Sequence, residues 1–161
     1  MKEILEILEK DARTTPEEIA KILKKDVNLV RKVIKKLEKD GVILKYKTVV
    51  NRELVRDEAR SVRALIEVKI APQRGYGFDH IAERIYRFSE VVSCYLLSGT
   101  YDLLLVVEGK DIQEVSSFVS EKLSTLDNVR GTVTHFLLKK YKEDGDMLKR
   151  AERDKRIAIS F

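Results

Sequence analysis

The sequence predicts an α+β chain of two units, three short helices followed by a βαββαβ segment. Three observations carry that reading. Apolar residues recur with a helical period in the N-terminal part, and they alternate in strand fashion from Ser61 onward. A charged stretch without either period, NRELVRDEARS, lies between. The expected division is residues 1–50, a linker at 51–61, a second domain at 62–142 and a tail at 143–161.

The totals fit such a chain. Its 161 residues are 43% hydrophobic, enough for real cores, and 37% charged. The net charge is only +5, so where the excess sits matters more than its sum. No apolar run approaches the ~18 residues of a membrane helix, and MKEILEILEKDA is amphipathic rather than signal-like. Cys94 is the single cysteine, which excludes an intrachain disulfide, and no Cys/His cluster offers a zinc site. These features predict a cytoplasmic protein with no membrane segment, no metal and no cofactor.

In the first unit, Ile4, Leu5, Ile7 and Leu8 give one helix a broad apolar face. The next begins at TTPEEIAKIL, where Thr15 caps, Pro16 suits the first helical position and Glu18 completes a capping box. It ends by about Lys24, with Ile19, Ile22 and Leu23 facing inward. A third helix restarts at Asp26, carries Val30, Val33, Ile34 and Leu37 as its stripe, and stops at Gly41. Helices so closely joined give a helix-turn-helix layout, and the alternating VILKYKTVVN supplies wing strands. The outer face of the third helix carries Asn28, Arg31, Lys32, Lys35, Lys36 and Lys39. Its five basic residues meet one acid, Glu38, so most of the chain's excess charge sits on one helix. Such a face neutralises phosphates of double-stranded DNA, while Asn28 and Arg31 near the helix start can reach base edges. A lysine-rich solvated surface would account for the charge alone. The capped three-helix layout favours DNA.

In the second unit, SVRALIEVKIA is a strand with Val62, Ala64, Ile66, Val68 and Ile70 on one face. PQRGYG is a loop, with Gly75, Tyr76 and Gly77 at its end. FDHIAERIYRFSE is a helix with Phe78, Ile81, Ile85 and Phe88 inward. VVSCYLLS and DLLLVVEG are strands around a Gly-X turn, SGTYD, in which Gly99 provides positive φ. DIQEVSSFVSEKLSTL is a helix capped by Asp111, with Glu114 at the third position, and VRGTVTHFLLKKYKE is the last strand. The order βαββαβ is the ferredoxin-like arrangement, whose helices cover one sheet face. The apolar second and third strands predict that a second copy of the chain covers the other. RNA binding on that face would need aromatic stacking residues on the central strands, and DLLLVVEG is aliphatic. Cys94 reads as a small buried residue, and His80 and His135 are too far apart in the pattern to form a metal site.

Together these residues resemble the Lrp/AsnC, or feast/famine, transcriptional regulators. DARTTPEEIAKIL is similar to the family's D-x-R-x-S-x-x-E-L-A, and KKLEKDGVILKY to its R-L-E-x-x-G-x-I-x-x-Y. SGTYDLLL and GTVTHFLL match its G-x-Y-D hairpin and T-x-T strand, so the resemblance runs from about residue 3 to 142. It implies a DNA-binding homodimer that often builds tetramers or octamers. It also implies a small effector, usually an amino acid, held between subunits. Carried over by position, Gly99, Thr100, Tyr101 and Asp102 would lie at that pocket, with Thr132 and Thr134 nearby. Gly99 lets a ligand approach the backbone, and Asp102 suits an α-ammonium group.

The chain also departs from the family. Many members carry an acidic residue where Thr100 stands, which implies a less polar ligand environment here or a ligand-independent regulator. The third helix opens Asp-Val-Asn rather than Leu-Ser, which leaves the operator open. IAISF near the C-terminus is apolar enough to add an edge strand. Siroheme decarboxylases share this two-domain build but use histidine-containing tetrapyrrole sites, and two scattered histidines favour the regulator. A sensing subunit without DNA contact is the other alternative, opposed by the basic third helix.

Overall fold

A computed structural model describes residues 1–55, 61–71 and 77–148. The chain forms two compact units that divide between Asn51 and Arg52.

The first unit is three helices: α1 (Lys2–Lys10), α2 (Pro16–Leu23) and α3 (Val27–Lys39). The start of α2 is sealed by the expected capping box, with the Glu18 amide donating to the Thr15 hydroxyl and the Thr15 amide to the Glu18 carboxylate. Lys24 takes a left-handed conformation (φ 51°) that turns the chain at once toward α3. The Asp26 carboxylate accepts from the amides of Asn28 and Leu29, fixing where α3 begins. Ile4, Ile19, Ala20, Val30 and Ile34 form the core. The alternation in VILKYKTVVN does not become wing strands: residues 42–51 run without a strand ladder. The amides of Val42 and Ile43 both donate back to the Leu37 carbonyl, and Leu44 is 88% exposed, so no apolar face holds a hairpin together.

The second unit runs β1 (Val62–Ile70), α4 (Asp79–Tyr86), β2 (Val91–Leu96), β3 (Leu103–Gly109), α5 (Ile112–Ser117), and β4 (Val129–Phe136). The sheet is antiparallel in the order β2-β3-β1-β4, as the βαββαβ order requires. Residues directly opposite one another share a face. Ala64, Ile66 and Val68 therefore stand with Leu103, Leu105 and Val107, and all are buried under the helices with Ile81, Ile85, Val115 and Phe118. Phe88 and Phe118 meet edge to face at 5.6 Å. Lys122 reaches Glu90 at 2.5 Å, a contact that holds this carboxyl below the usual range. Cys94 packs half-buried against the core, and burial pushes its thiol up.

Three details differ from expectation. The helix after Asp111 is α-helical only to Ser117 and continues as a π-helical turn, Phe118–Leu123. The Ser120 hydroxyl donates to the Ser116 and Ser117 carbonyls, and such competition loosens the regular ladder. The last sheet strand stops at Phe136 rather than continuing to Glu143. A separate hairpin follows, β5 (Lys142–Glu143) with β6 (Asp146–Met147), so the boundary expected at 142/143 cuts through a paired element. Asp144 (φ 47°) and Gly145 (φ 94°) are both left-handed, as a two-residue type I′ turn demands. Gly75 and Tyr76, the charged linker at 56–60 and the apolar segment 157–161 lie outside the described residues.

The sheet face away from the helices carries no helix among the described residues, and at one end Leu137, Tyr141 and Glu143 line a cavity with its Leu65 and Val106. Leu65, Leu104 and Val106 form the middle of that face, with Tyr95 and Val133 more exposed beside them. Arg63 anchors one end, bonded to Glu108 at 3.0 Å and to Glu143 of the small hairpin at 3.2 Å.

Candidate DNA interface and hairpin site

On α3 the apolar stripe Val30, Ile34 and Leu37 is buried, which by helical geometry turns Asn28, Arg31, Lys32, Lys35, Lys36 and Lys39 to solvent. The structure thus brings all the predicted DNA residues onto one exposed surface. Their surroundings differ. Arg31 is ion-paired with Glu17 of α2, whereas Lys32, Lys35, Lys36 and Lys39 have no acidic partner among the described residues. Glu38, the helix's single acid, accepts from the Tyr46 hydroxyl at 2.9 Å. Burial, then that bond, raise the Tyr46 phenol. The carboxyl of Glu17 lies below its usual range, first through its own backbone amide and then through Arg31. Tyr46 is the closing tyrosine of the KKLEKDGVILKY match, though its bond to Glu38 is not legible there; the signal for Glu17 is only its place in the first turn of α2.

The SGTYD corner is wider than a Gly-X turn. The Leu97 amide donates to the Asp102 carbonyl at 2.9 Å, closing a four-residue loop, Ser98 to Tyr101. Gly99 sits at φ +146° with open space where a Cβ would be, so backbone conformation and not crowding requires glycine. Thr100 is exposed and Tyr101 half-buried.

Asp102 already has structural work. Its carboxylate accepts from the Ile70 amide at 2.7 Å, where the β1–β4 register shifts between Lys69 and Ile70. The Lys69 ammonium lies 3.5 Å from Asp102 and donates to the Thr100 carbonyl at 2.7 Å. Lys69 is therefore a cation at the hairpin mouth that no motif in the sequence marks. Thr132 stands opposite Val68 and Thr134 opposite Ile66, both on the helix-covered side. Within one chain the hairpin residues cluster, while the two threonines lie across β1, about 10 Å away at two strand spacings. His135 faces the other way, 3.9 Å from Glu67, and His80 is exposed on α4, so the histidines do not converge. Among the described residues there is no group of metal-ligating side chains, and no helix long and apolar enough to cross a membrane.

The comparisons with known proteins agree with this anatomy. Residues 63–147 match the model of the Lrp/AsnC ligand binding domain, and residues 1–43 that of a winged helix-turn-helix DNA-binding domain. The chain is 51% identical to the HTH-type transcriptional regulator YugG of Bacillus subtilis, covering 98% of this chain and 95% of that one. It is 30% identical to the HTH-type transcriptional regulator FL11 of Pyrococcus furiosus, over 91% of this chain and 92% of FL11. The crystal structure of the Neisseria meningitidis transcriptional regulator NMB0573 in complex with L-Met superimposes with a TM-score of 0.68. It is 26% identical, with 88% and 89% of the two chains covered. A helix-turn-helix bearing an exposed basic helix, followed by this ligand-binding type of domain, defines a DNA-binding transcriptional regulator. The chain belongs to the Lrp/AsnC family.

Replacing Asp102 by alanine leaves the Ile70 amide without its acceptor. The change should cost about 1–3 kcal/mol in urea unfolding, with faster hydrogen exchange at Ile70 than in the native chain.

Proposed function

We propose that the protein is an effector-responsive homo-oligomeric regulator of the cytoplasm that reads double-stranded DNA through Asn28, Arg31, Lys32, Lys35 and Lys36. The contrast along α3 carries this reading. Its lysines are exposed and without acidic partners among the described residues, and its one acid is occupied by Tyr46. Lysines left in that state release counterions on meeting phosphates. Arg31 and Asn28, near the start of the helix, are the residues placed for base edges.

The dimer forms through the sheet face away from the helices, where Leu65, Leu104 and Val106 are only partly buried. Dimers then pair into tetramers or octamers. The effector sits at contacts between dimers, held by Gly99, Thr100, Tyr101 and Asp102 of one copy, with Thr132 and Thr134 completing the site. An amino acid is the favoured effector class, since the Neisseria relative is described as a complex with L-Met. The relatives' names as transcriptional regulators support a regulatory role.

Arg31→Ala combined with Lys35→Ala should weaken binding to a selected duplex about a hundredfold and flatten the logarithmic salt dependence by about two units. Retention of the native footprint would remove the assigned face. Asp102→Asn keeps an oxygen for Ile70 but loses the charge. In calorimetry against the common amino acids, L-methionine included, it should lose the response of the native chain while holding DNA affinity within about twofold. An equal response would displace Asp102 from the site. Sedimentation at micromolar concentration should give a dimer or larger species; a sharp monomer would defeat the sheet-face interface.

A further inference from the structure

The apolar residues of α3 are used in different ways. Val30, Ile34 and Leu37 are buried, and Val27 and Val33 pack half-buried against the small core. Leu29 does neither. It is 53% exposed, and among the described residues it is the only large apolar side chain of α3 turned to solvent. Its backbone is fixed all the same: its amide donates to the Asp26 carboxylate at 3.0 Å, sharing that oxygen with the Asn28 amide at 2.9 Å. By helical geometry Lys32 and Lys36, three and seven residues on, rise along the same side of the helix as Leu29. Arg31 stands round the other side, against Glu17. The first turn of α3 thus sets a polar residue, Asn28, beside an apolar one, Leu29, at the head of two lysines without acidic partners among the described residues.

We propose that Leu29 is a specificity-determining residue that packs on the 5-methyl group of a thymine in the major groove. The inference rests on the α3 face being the DNA-reading surface. A recognition helix meets base edges through its N-terminal residues, and Leu29 is the third residue of α3. Lys32 and Lys36 suit phosphates, which every duplex supplies, so they hold the helix in place without choosing a sequence. The thymine methyl is the apolar group that a base pair presents in the major groove. Joining it to Leu29 removes apolar surface of both from water, which favours binding. A cytosine at the same place sets its amino group against the leucine instead. That group loses a water and gains no acceptor, which costs binding. Gain and penalty therefore point to the same base.

The test uses the full chain. A preferred duplex is first selected from a random-sequence pool with the native protein. Each of its thymines is then replaced in turn by deoxyuridine, which lacks the 5-methyl and keeps every hydrogen-bonding group. At one thymine of each half-site the change should weaken native binding about three- to fivefold, the scale of one methyl group returned to water. Leu29→Ala, which removes no core contact, should bind the thymine and uracil duplexes alike. Its salt dependence should match that of the native chain, because no phosphate contact is lost. Leu29→Met, similar in volume and apolar, should restore the preference for the methyl. A native chain indifferent to every methyl, a methyl preference that survives Leu29→Ala, or an altered salt dependence in that variant would each overturn the proposal. If the Arg31→Ala and Lys35→Ala double variant binds the selected duplex like the native chain, the α3 reading falls too. If that variant weakens binding while no methyl matters, only the role of Leu29 is lost.

Discussion

The second unit depends on how the end of β1 is held. β1 is a central strand, paired with β3 on one side and β4 on the other. Near its C-terminal end the register with β4 slips, and an amide leaving the ladder there would be a costly orphan. Asp102 supplies the missing acceptor for Ile70, and its own amide donates to the Val68 carbonyl at 3.0 Å. On the other side Asn128 and Ala71 exchange two hydrogen bonds, 2.9 Å through the backbone and 3.1 Å through the Asn128 amide. The hairpin corner and the start of β4 are thereby fixed to the same point, and the positions of Thr132 and Thr134 follow from the register. A residue that resembles a ligand contact is first a structural one.

The first unit solves a different problem. Three short helices give a small core, so their ends must be satisfied locally. Thr15 with Glu18, and Asp26, do so through short-range bonds. The geometry between α2 and α3 is then set before any partner arrives. The charges divide accordingly: acids are drawn to helix starts, and lysines remain along the outer face of α3.

Much of this is legible in the residues. Both helix caps, the order of strands and helices, and the buried faces of β1 and β3 follow from periodicity, because one face of each element must be hidden. No wing strand forms among the described residues, since alternation shows only that a strand is compatible, and Leu44 stays 88% exposed. The π-helical turn is hidden because serine reads as an ordinary helix-surface residue until its hydroxyl bonds a carbonyl. The β5–β6 hairpin carries its own signal in Asp144-Gly145, masked by the apolar and lysine-rich run that makes one long strand look natural. Lys69 and Glu17 are illegible for a simpler reason: their partners are Thr100 and Asp102 across the sheet, and Arg31 on another helix. Pairings between distant positions leave no local pattern.

The strand order also imposes a sequence of events during synthesis. The contacts of the helical unit lie close along the chain, so it can fold as soon as it leaves the ribosome. β1 cannot: Ala64 pairs with Val107 on one flank and with Phe136 on the other. The central strand is made first and completed last, its apolar residues waiting for partners that emerge much later. The helical unit is therefore finished while the sheet of the second unit is still missing its last strand.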